Sequence, residues 1–397
     1  MSDQPERTVG PAVGAASLPL VIATMLRPQG NTGVHTHIQQ LLRYLAAATD
    51  ATTMLSTPFD WRWPLYVPVY GVRYVLAPVS GSADVRWYRH WHEVFLRGAL
   101  RTQLADLGDC IIYAQDAPSA RAALATRRDH GQQVVLAVHF RISQADEWAD
   151  KGRIPRYGRV FRNIRELERQ VIPQVDRLVY VSRWARESLA GWLPEAAAVP
   201  SAVIGNFVAP WSGRPSRERV GDLVTIGSLE PVKNHRYLLQ VLAEAKRAGR
   251  PLTLDVFGDG PLRDDLQQRA RSLGVAEQVR LRGFRPDLRD VLSGYRAYVH
   301  ASYSESSSLA IMEAMEAGLP IVAAGIGPIP ELFDEGVEGR FWPLDDPARA
   351  AAVLRGLLDD EPSRRKAARA ARERFERDFD ANVIGPRLWA FLQDSKS

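Results

Sequence analysis

Short runs of consecutive apolar residues alternate with amphipathic stretches along most of this chain. Leu18 to Met25 is the first run and predicts a buried strand. After the loop Arg27 to Gly33, Val34 to Ala48 places Ile38, Leu41, Leu42 and Leu45 on one helical stripe. A strand, a glycine-bearing loop and a helix form the opening of a doubly wound α/β unit. Cys110 to Ala114, Gln133 to His139 and Arg177 to Val181 read as further buried strands, and Ser182 starts a helix reaching about Leu189. A second series begins with the strand Leu223 to Ile226, the loop GSLEPVKNH and the helix Tyr237 to Ala248. Leu252 to Phe257 is the next strand, followed by Gly258-Asp259-Gly260-Pro261, the helix Leu262 to Ser272 and a strand at Val279 to Leu281. Ala297 to Ser302 ends another strand, and a helix stopping at Gly318 follows it. Helices at Asp346 to Asp359 and Pro362 to Arg377 precede Val383 to Leu392, whose Leu388, Trp389 and Leu392 are suited to pack back on the first unit.

The pattern divides the chain. Residues 1–17 read as a disordered tail, 18–207 as a first domain and 208–222 as a Pro-, Gly- and Arg-rich linker. Residues 223–382 then form a second domain, and 383–397 return to the first. Between Thr49 and Leu107 the periodicity loosens and aromatics accumulate, among them Trp61, Trp63, Tyr70, Tyr74, Trp87 and Trp91. Most are expected as core or loop anchors, and a sugar-stacking or lipid-facing groove is the alternative.

Composition narrows the class. The 397 residues are 46% hydrophobic, enough for two ordinary cores. A single Cys, Cys110, excludes an internal disulfide framework and fits a reducing compartment, so the cytosol is expected. No apolar run approaches the roughly 18 to 20 residues needed to cross a bilayer. Met1 to Ser17 carries Asp3 and Glu6 ahead of Arg7, unlike the basic start of a signal peptide.

Net charge is +5 and unevenly spread. From Lys151 to Pro200 there are ten Lys or Arg against five Asp or Glu, and from Ala301 to Ala350 two against nine. Arg159, Arg162, Arg165 and Arg169, spaced at three and four residues, are expected to share one helix face. That face is either simply solvated or docks on an anionic membrane surface or acidic acceptor. No nucleic-acid motif supports a nucleic-acid partner.

The densest chemistry lies in ASYSESSSLAIMEAMEAGLPIVAAGIGPIPE, Ala301 to Glu331. Ser306, Ser307 and Ser308 are all competent caps for the helix that follows, where free N–H groups and the helix dipole favour an anion such as phosphate. Glu305 and Glu313, seven residues apart between them, can face one pocket at a strand's carboxyl end. Lys233 lies in a strand-to-helix loop from which a flexible ammonium reaches a diphosphate. His139 ends its strand on the side where doubly wound sheets bind ligands. Arg282 and Arg285 follow a predicted strand end near Phe284. The one Asp-x-Asp, Asp378-Phe379-Asp380, follows a predicted helix rather than a strand, and neither a zinc cluster nor G-x-S-x-G is present.

The run Glu305-x7-Glu313, Ala314-Met315, Gly318-Leu319-Pro320 and Gly327 to Glu331 resembles the donor region of family-4 glycosyltransferases, with Ser306 to Ser308 in place of Gly-Phe-Gly. Gly227, Leu229 and Lys233 match that family's G-R-L-x-x-x-K, Ser228 standing where Arg is expected. The loop GNTGVHTHI places Gly33 and His37 on G-G-V-x-x-H, and VIGNFV places Asn206 on the Asn of I-P-N-G-V-D. The resemblance implies a GT-B-type α/β fold, two Rossmann-like doubly wound domains facing a central cleft. It implies a retaining, metal-independent transferase that moves a sugar from a UDP-sugar or GDP-sugar to a glycan or lipid-linked acceptor, without a cofactor. In its terms Glu305 and His139 act on the sugar and Glu313 on the ribose. Gly33, Lys233, Ser306, Ser307, Ser308 and Leu309 hold the donor, with His37, Asn206, Ser228, Arg282 and Phe284 nearby. The rival readings are a phosphorylase or synthase on a small soluble sugar, and a catalytically silent nucleotide-sugar-binding subunit; G-x-G-x-x-G with a placed acid, as in dehydrogenases, is missing.

Overall fold

A computed structural model of the chain describes residues 17–30, 32–61, 66–211, 213, 218–285 and 287–394. The expected tail lies outside these residues save Ser17.

The described residues form two six-stranded parallel sheets. In the first, β1 (Leu20–Ala23), β2 (Thr53–Ser56), β3 (Cys110–Ala114), β4 (Gln132–Val138), β5 (Arg177–Tyr180) and β6 (Ser201–Val203) take the order β2-β1-β3-β4-β5-β6. In the second, β7 (Leu223–Ile226), β8 (Leu254–Phe257), β9 (Val279–Gly283), β10 (Ala297–His300), β11 (Ile321–Ala323) and β12 (Gly339–Phe341) take the order β12-β11-β10-β7-β8-β9. The central strands are continuous apolar runs because helices cover both faces of each sheet. Separate apolar clusters fill each face, one pair per domain.

Each order reverses once, between β1 and β3 and between β7 and β10. At such points the loops leaving adjacent strands diverge to opposite faces and open a crevice at the carboxyl ends. Both crevices matter below.

The two crossings between domains run side by side. Val208 N–H donates to Phe379 O (3.0 Å) and Ala381 N–H to Val208 O (3.1 Å). Helix Ala381–Gln393 then packs Ala381, Ile384, Leu388 and Leu392 into the apolar cluster under the first sheet with Leu20, Ile38 and Leu41. The buried Arg177 reaches the end of this helix, donating to Leu392 O at 3.0 Å.

Two features differ from expectation. The loosened stretch contains two helices, Tyr66–Val79 and Gly81–Leu104, the second capped by Ser80. Nor do the four arginines share one free face. On helix Arg159–Val171, Arg165 turns inward, pairing with Asp146 at 2.6 Å and stacking 4.0 Å over the Trp192 ring. Arg169 pairs with Glu166 (3.0 Å), and only Arg159 and Arg162 join it on the exposed side.

Candidate active site

The β7/β10 crevice is built from two loops stitched together, Tyr303 N–H donating to Val232 O at 2.9 Å. One loop ends in the turn Pro231–Lys233, after which Asn234 takes a left-handed φ of 52° and starts helix His235–Arg247. The other leaves β10 at His300. Between them lies a buried polar constellation. Lys233 Nζ is 2.7 Å from Glu305 Oε1, and His300 Nε2 is 2.9 Å from the same oxygen. Burial alone would raise the Glu305 pKa. The Lys233 charge and the His300 hydrogen bond outweigh that and hold it well below the usual carboxylate range. His300 is held in turn by Tyr298 OH on Nδ1 (3.3 Å), and Trp342 Nε1 donates to the His300 carbonyl (3.1 Å).

Two glycines allow close packing here. The Lys233 stem runs along Gly227, where an added Cβ would lie 3.5 Å from it. Gly258, at φ 136°, sits so close to Gly227 that a Cβ would fall 2.1 Å from the Gly227 carbonyl oxygen.

Ser306, Ser307 and Ser308 follow Glu305 directly. Helix Leu309–Glu316 begins after Ser308, but the Ser308 hydroxyl makes no capping bond, contrary to the sequence expectation for the cap. The buried hydroxyls of Ser302 and Ser307 have no hydrogen-bond partner among the described residues. Leu309 packs into the core. Glu313, half-buried, is pushed up by burial against the Arg289 charge. Arg289 also pairs with Glu316, donates to Ala209 O and lies 5.0 Å over the Trp211 ring.

On the first sheet, His139 follows β4 and donates through Nε2 to Gln115 Oε1 at 2.9 Å. Gln115 is oriented by its own bond to Tyr113 O (3.2 Å). His37 meets the His139 ring edge-on at 4.7 Å, with Asn206 beside it. Burial lowers His37 to about 4 and His139 well below its ordinary value, so both stay neutral. Gly33 lies exposed at the first helix start, with open space around it.

The two carboxyl ends meet. Ser182 Oγ, just past β5, donates to Ser306 O at 3.3 Å. Glu331 accepts from Arg183 N–H (2.9 Å) and Trp184 N–H (2.7 Å), capping a helix of the opposite domain.

Several expected groups are engaged elsewhere. Arg282 pairs with the buried Asp255 at 3.0 Å, and Arg285 with Asp287 at 2.6 Å. Ser228 bonds Glu230 at 3.3 Å. Phe284 is exposed, its N–H on Asp259 at 2.9 Å. Asp378 pairs with Arg377 at 3.0 Å and Asp380 caps the last helix. Sequence reasoning missed His300 and Gln115. His300 ends its strand as His139 follows one, which was the available signal.

Comparison with known proteins bears on the family and the fold. Residues 32–206 match the family described as Glycosyl transferase 4-like domain and 214–374 that described as Glycosyl transferases group 1. Glycogen synthase of Mycobacterium tuberculosis is 26% identical over 375 residues, covering 89% of this chain and 88% of that protein. Sucrose-phosphate synthase of Thermosynechococcus elongatus superposes with a TM-score of 0.72 at 17% identity, covering 94% of this chain and 98% of the other. HepE of Anabaena, solved in complex with UDP-glucose, gives 0.69 at 16%, covering 94% and 99%. The chain spans 58–60% of several longer solved chains it also resembles.

Proposed function

We propose that the chain is a family-4 glycosyltransferase, its two halves matching glycosyltransferase domain families, and that it is a retaining transferase that moves a sugar from a nucleoside diphosphate to a glycan or lipid-linked acceptor. The observation that carries this reading is the Lys233–Glu305–His300 constellation in the β7/β10 crevice, its carboxylate and imidazole buried and its ammonium partly exposed. Breaking the bond between the anomeric carbon and phosphate moves negative charge onto the leaving diphosphate while the sugar becomes oxocarbenium-like. A preorganised ammonium and backbone N–H groups stabilise that charge more in the transition state than before it. In this reading Lys233 and the Ser306 to Ser308 turn take that role, and the unpartnered hydroxyls of Ser302 and Ser307 suit donor oxygens.

Glu305, kept ionised by Lys233 and His300, then accepts hydrogen bonds from sugar hydroxyls, and Glu313 from the ribose. His139 approaches the sugar from the other domain. Its Nε2 proton is committed to Gln115, so its free Nδ1 is an acceptor. The leaving diphosphate takes the acceptor's proton on the same face, which retains the anomeric configuration. Lys233 supplies the charge at the diphosphate, so the reading requires neither cofactor nor metal; turnover that persists in chelator supports it.

UDP is the first nucleotide to test, because UDP-glucose is the ligand of the HepE structure; GDP is the second. Thermal shift and calorimetry with UDP, GDP and ADP, on wild type and Lys233→Ala, test the donor site directly. Stabilisation by one diphosphate that Lys233→Ala abolishes supports it. Failure of all three to stabilise the protein sinks it.

A further inference from the structure

A groove of about 840 Å³ lies on the flank of the first domain, between helices Tyr66–Val79, Gly81–Leu104 and Arg159–Val171. Its volume is that of a ligand site, since such sites run to about 300–1,000 Å³. Val72, Leu76, Trp87, Trp91, Ile164 and Leu167 give it apolar and aromatic walls, and its two carboxylates, Glu93 and Glu166, are paired with Arg121 and Arg169. One buried guanidinium nitrogen in the lining, Nη2 of Arg89, has no hydrogen-bond partner among the described residues. Nearby on the same helix and also in the lining, Arg86 is exposed.

The helix beside the groove is unusual for a surface element. Tyr74 (80%), Val75 (68%) and Val79 (79%) are open to solvent, and the helix contains no acidic residue. Its one charge, Arg73, is neutralised by Asp84 at 2.7 Å. Aromatic and aliphatic side chains beside the exposed Arg86 and the unpartnered Nη2 of Arg89, whose Nη1 donates to Gln144 Oε1 at 2.8 Å, match the chemistry of an anionic lipid, whose chain is apolar and whose headgroup is a phosphate.

The groove also sits at the correct end of the sheet. Tyr88 OH and His92 Nδ1, on the groove-forming helix, bond to Met25 O in the loop after β1, at 3.3 and 2.9 Å. That loop borders the β1/β3 crevice, next to His37 and His139.

We propose that the groove holds the apolar chain of a lipid-linked acceptor, its phosphate at Arg86 and Arg89, with Tyr74, Val75 and Val79 set in the bilayer surface. The link to catalysis rests on the transferase reading; binding of the lipid does not. Sedimentation of the full chain with phosphatidylcholine vesicles containing phosphatidylglycerol, against pure phosphatidylcholine, measures docking. Quenching of tryptophan fluorescence by brominated acyl chains reports a chain beside Trp87 and Trp91. Val75→Asp with Val79→Asp alters only exposed side chains and lowers vesicle binding about tenfold or more. Asn163→Phe, which fills the groove from an exposed position without adding a tryptophan, removes most of the quenching. Absence of vesicle binding, binding that survives the Val75 and Val79 changes, or quenching unaltered by Asn163→Phe overturns the inference. A UDP-induced thermal shift measured on the same samples separates the two readings. If it persists while vesicles are ignored, only the groove assignment fails; if it is missing while vesicles bind, only the donor-site reading fails.

Discussion

Lys233 and Glu305 share a 2.7 Å ion pair across the two loops of the β7/β10 crevice, although 72 residues separate them in sequence. An incoming diphosphate competes with Glu305 for the same ammonium. The pair therefore keeps the cation in place before the donor arrives and releases part of its charge when the donor binds.

Lys233→Ala removes that cation and strands a buried carboxylate. Transfer is expected to fall by about a hundredfold or more in kcat/KM, the scale of losing one preorganised charge-stabilising donor. Stability changes too, and its pH dependence has a definite sign. The folded-state pKa of Glu305 is depressed, so its contribution is complete above the ordinary glutamate value of about 4.3 and is lost as pH falls below that. Urea unfolding at pH 7 and at pH 4 tests this. The gap between wild type and variant narrows at the lower pH, and a constant gap counts against the pairing.

How much of this was legible follows from what each residue type reveals by itself. Buried parallel strands are unbroken apolar runs, so β1, β3, β4, β7, β8 and β10 can be read from the chain, as can the helix after the serines, which stops at a left-handed Gly318. YVPVYGVRYVLAPV has apolar residues nearly all round and a proline near its end, so periodicity could not mark it as a helix. Arg165 obeys the spacing of its neighbours in sequence but stacks on Trp192, a contact that only tertiary structure supplies. The missing arginine at Ser228 is likewise not replaced by Arg282 or Arg285, whose charges are taken by Asp255 and Asp287.

Gly258→Ala tests the close packing behind Lys233. A methyl there meets the Gly227 carbonyl oxygen at 2.1 Å and must also hold a φ of 136°. Strain plus overpacking is expected to cost about 2 to 4 kcal/mol. Gly283→Ala is the control, since its φ of 73° is also left-handed but the nearest atom lies 3.4 Å from the added carbon. It should cost about 1 kcal/mol. Equal losses for both in denaturant titrations would show that the contact with Gly227 is not what fixes glycine at position 258.

His37 gives a pH test of the first domain. Burial lowers it to about 4 against an ordinary value of about 6.5, so the unfolded chain binds a proton there that the folded one does not. Its contribution to stability is present above pH 6.5 and is lost as pH falls toward 4, at roughly 1.4 kcal/mol per pH unit. Glu168, raised to about 7 by burial, works in the opposite direction. The informative quantity is therefore the difference between wild type and His37→Gln. Denaturant midpoints from pH 7 to pH 5 should fall more steeply in the wild type by close to one proton, and parallel curves would refute the neutral buried assignment.

Glu331 joins the domains mainly through backbone donors, with the Arg183 guanidinium farther off at 3.6 Å. Its two carboxylate oxygens take the Arg183 and Trp184 N–H groups at 2.9 and 2.7 Å, the free donors at the start of helix Arg183–Ala190. The carboxylate also lies at the positive end of that helix dipole. Opening the cleft must break both bonds, so the contact favours the closed arrangement by about 1 kcal/mol, the usual scale of a helix cap. Glu331→Ala should weaken donor binding by about fivefold, because binding then has to supply the closure that the cap provided. Glu331→Gln keeps one acceptor oxygen and should fall between. Small-angle scattering distinguishes this from a local defect: the alanine variant should be more extended without nucleotide and regain the wild-type radius when UDP is saturating. If its radius and its UDP affinity both equal those of the wild type, the Glu331 cap has no part in closure.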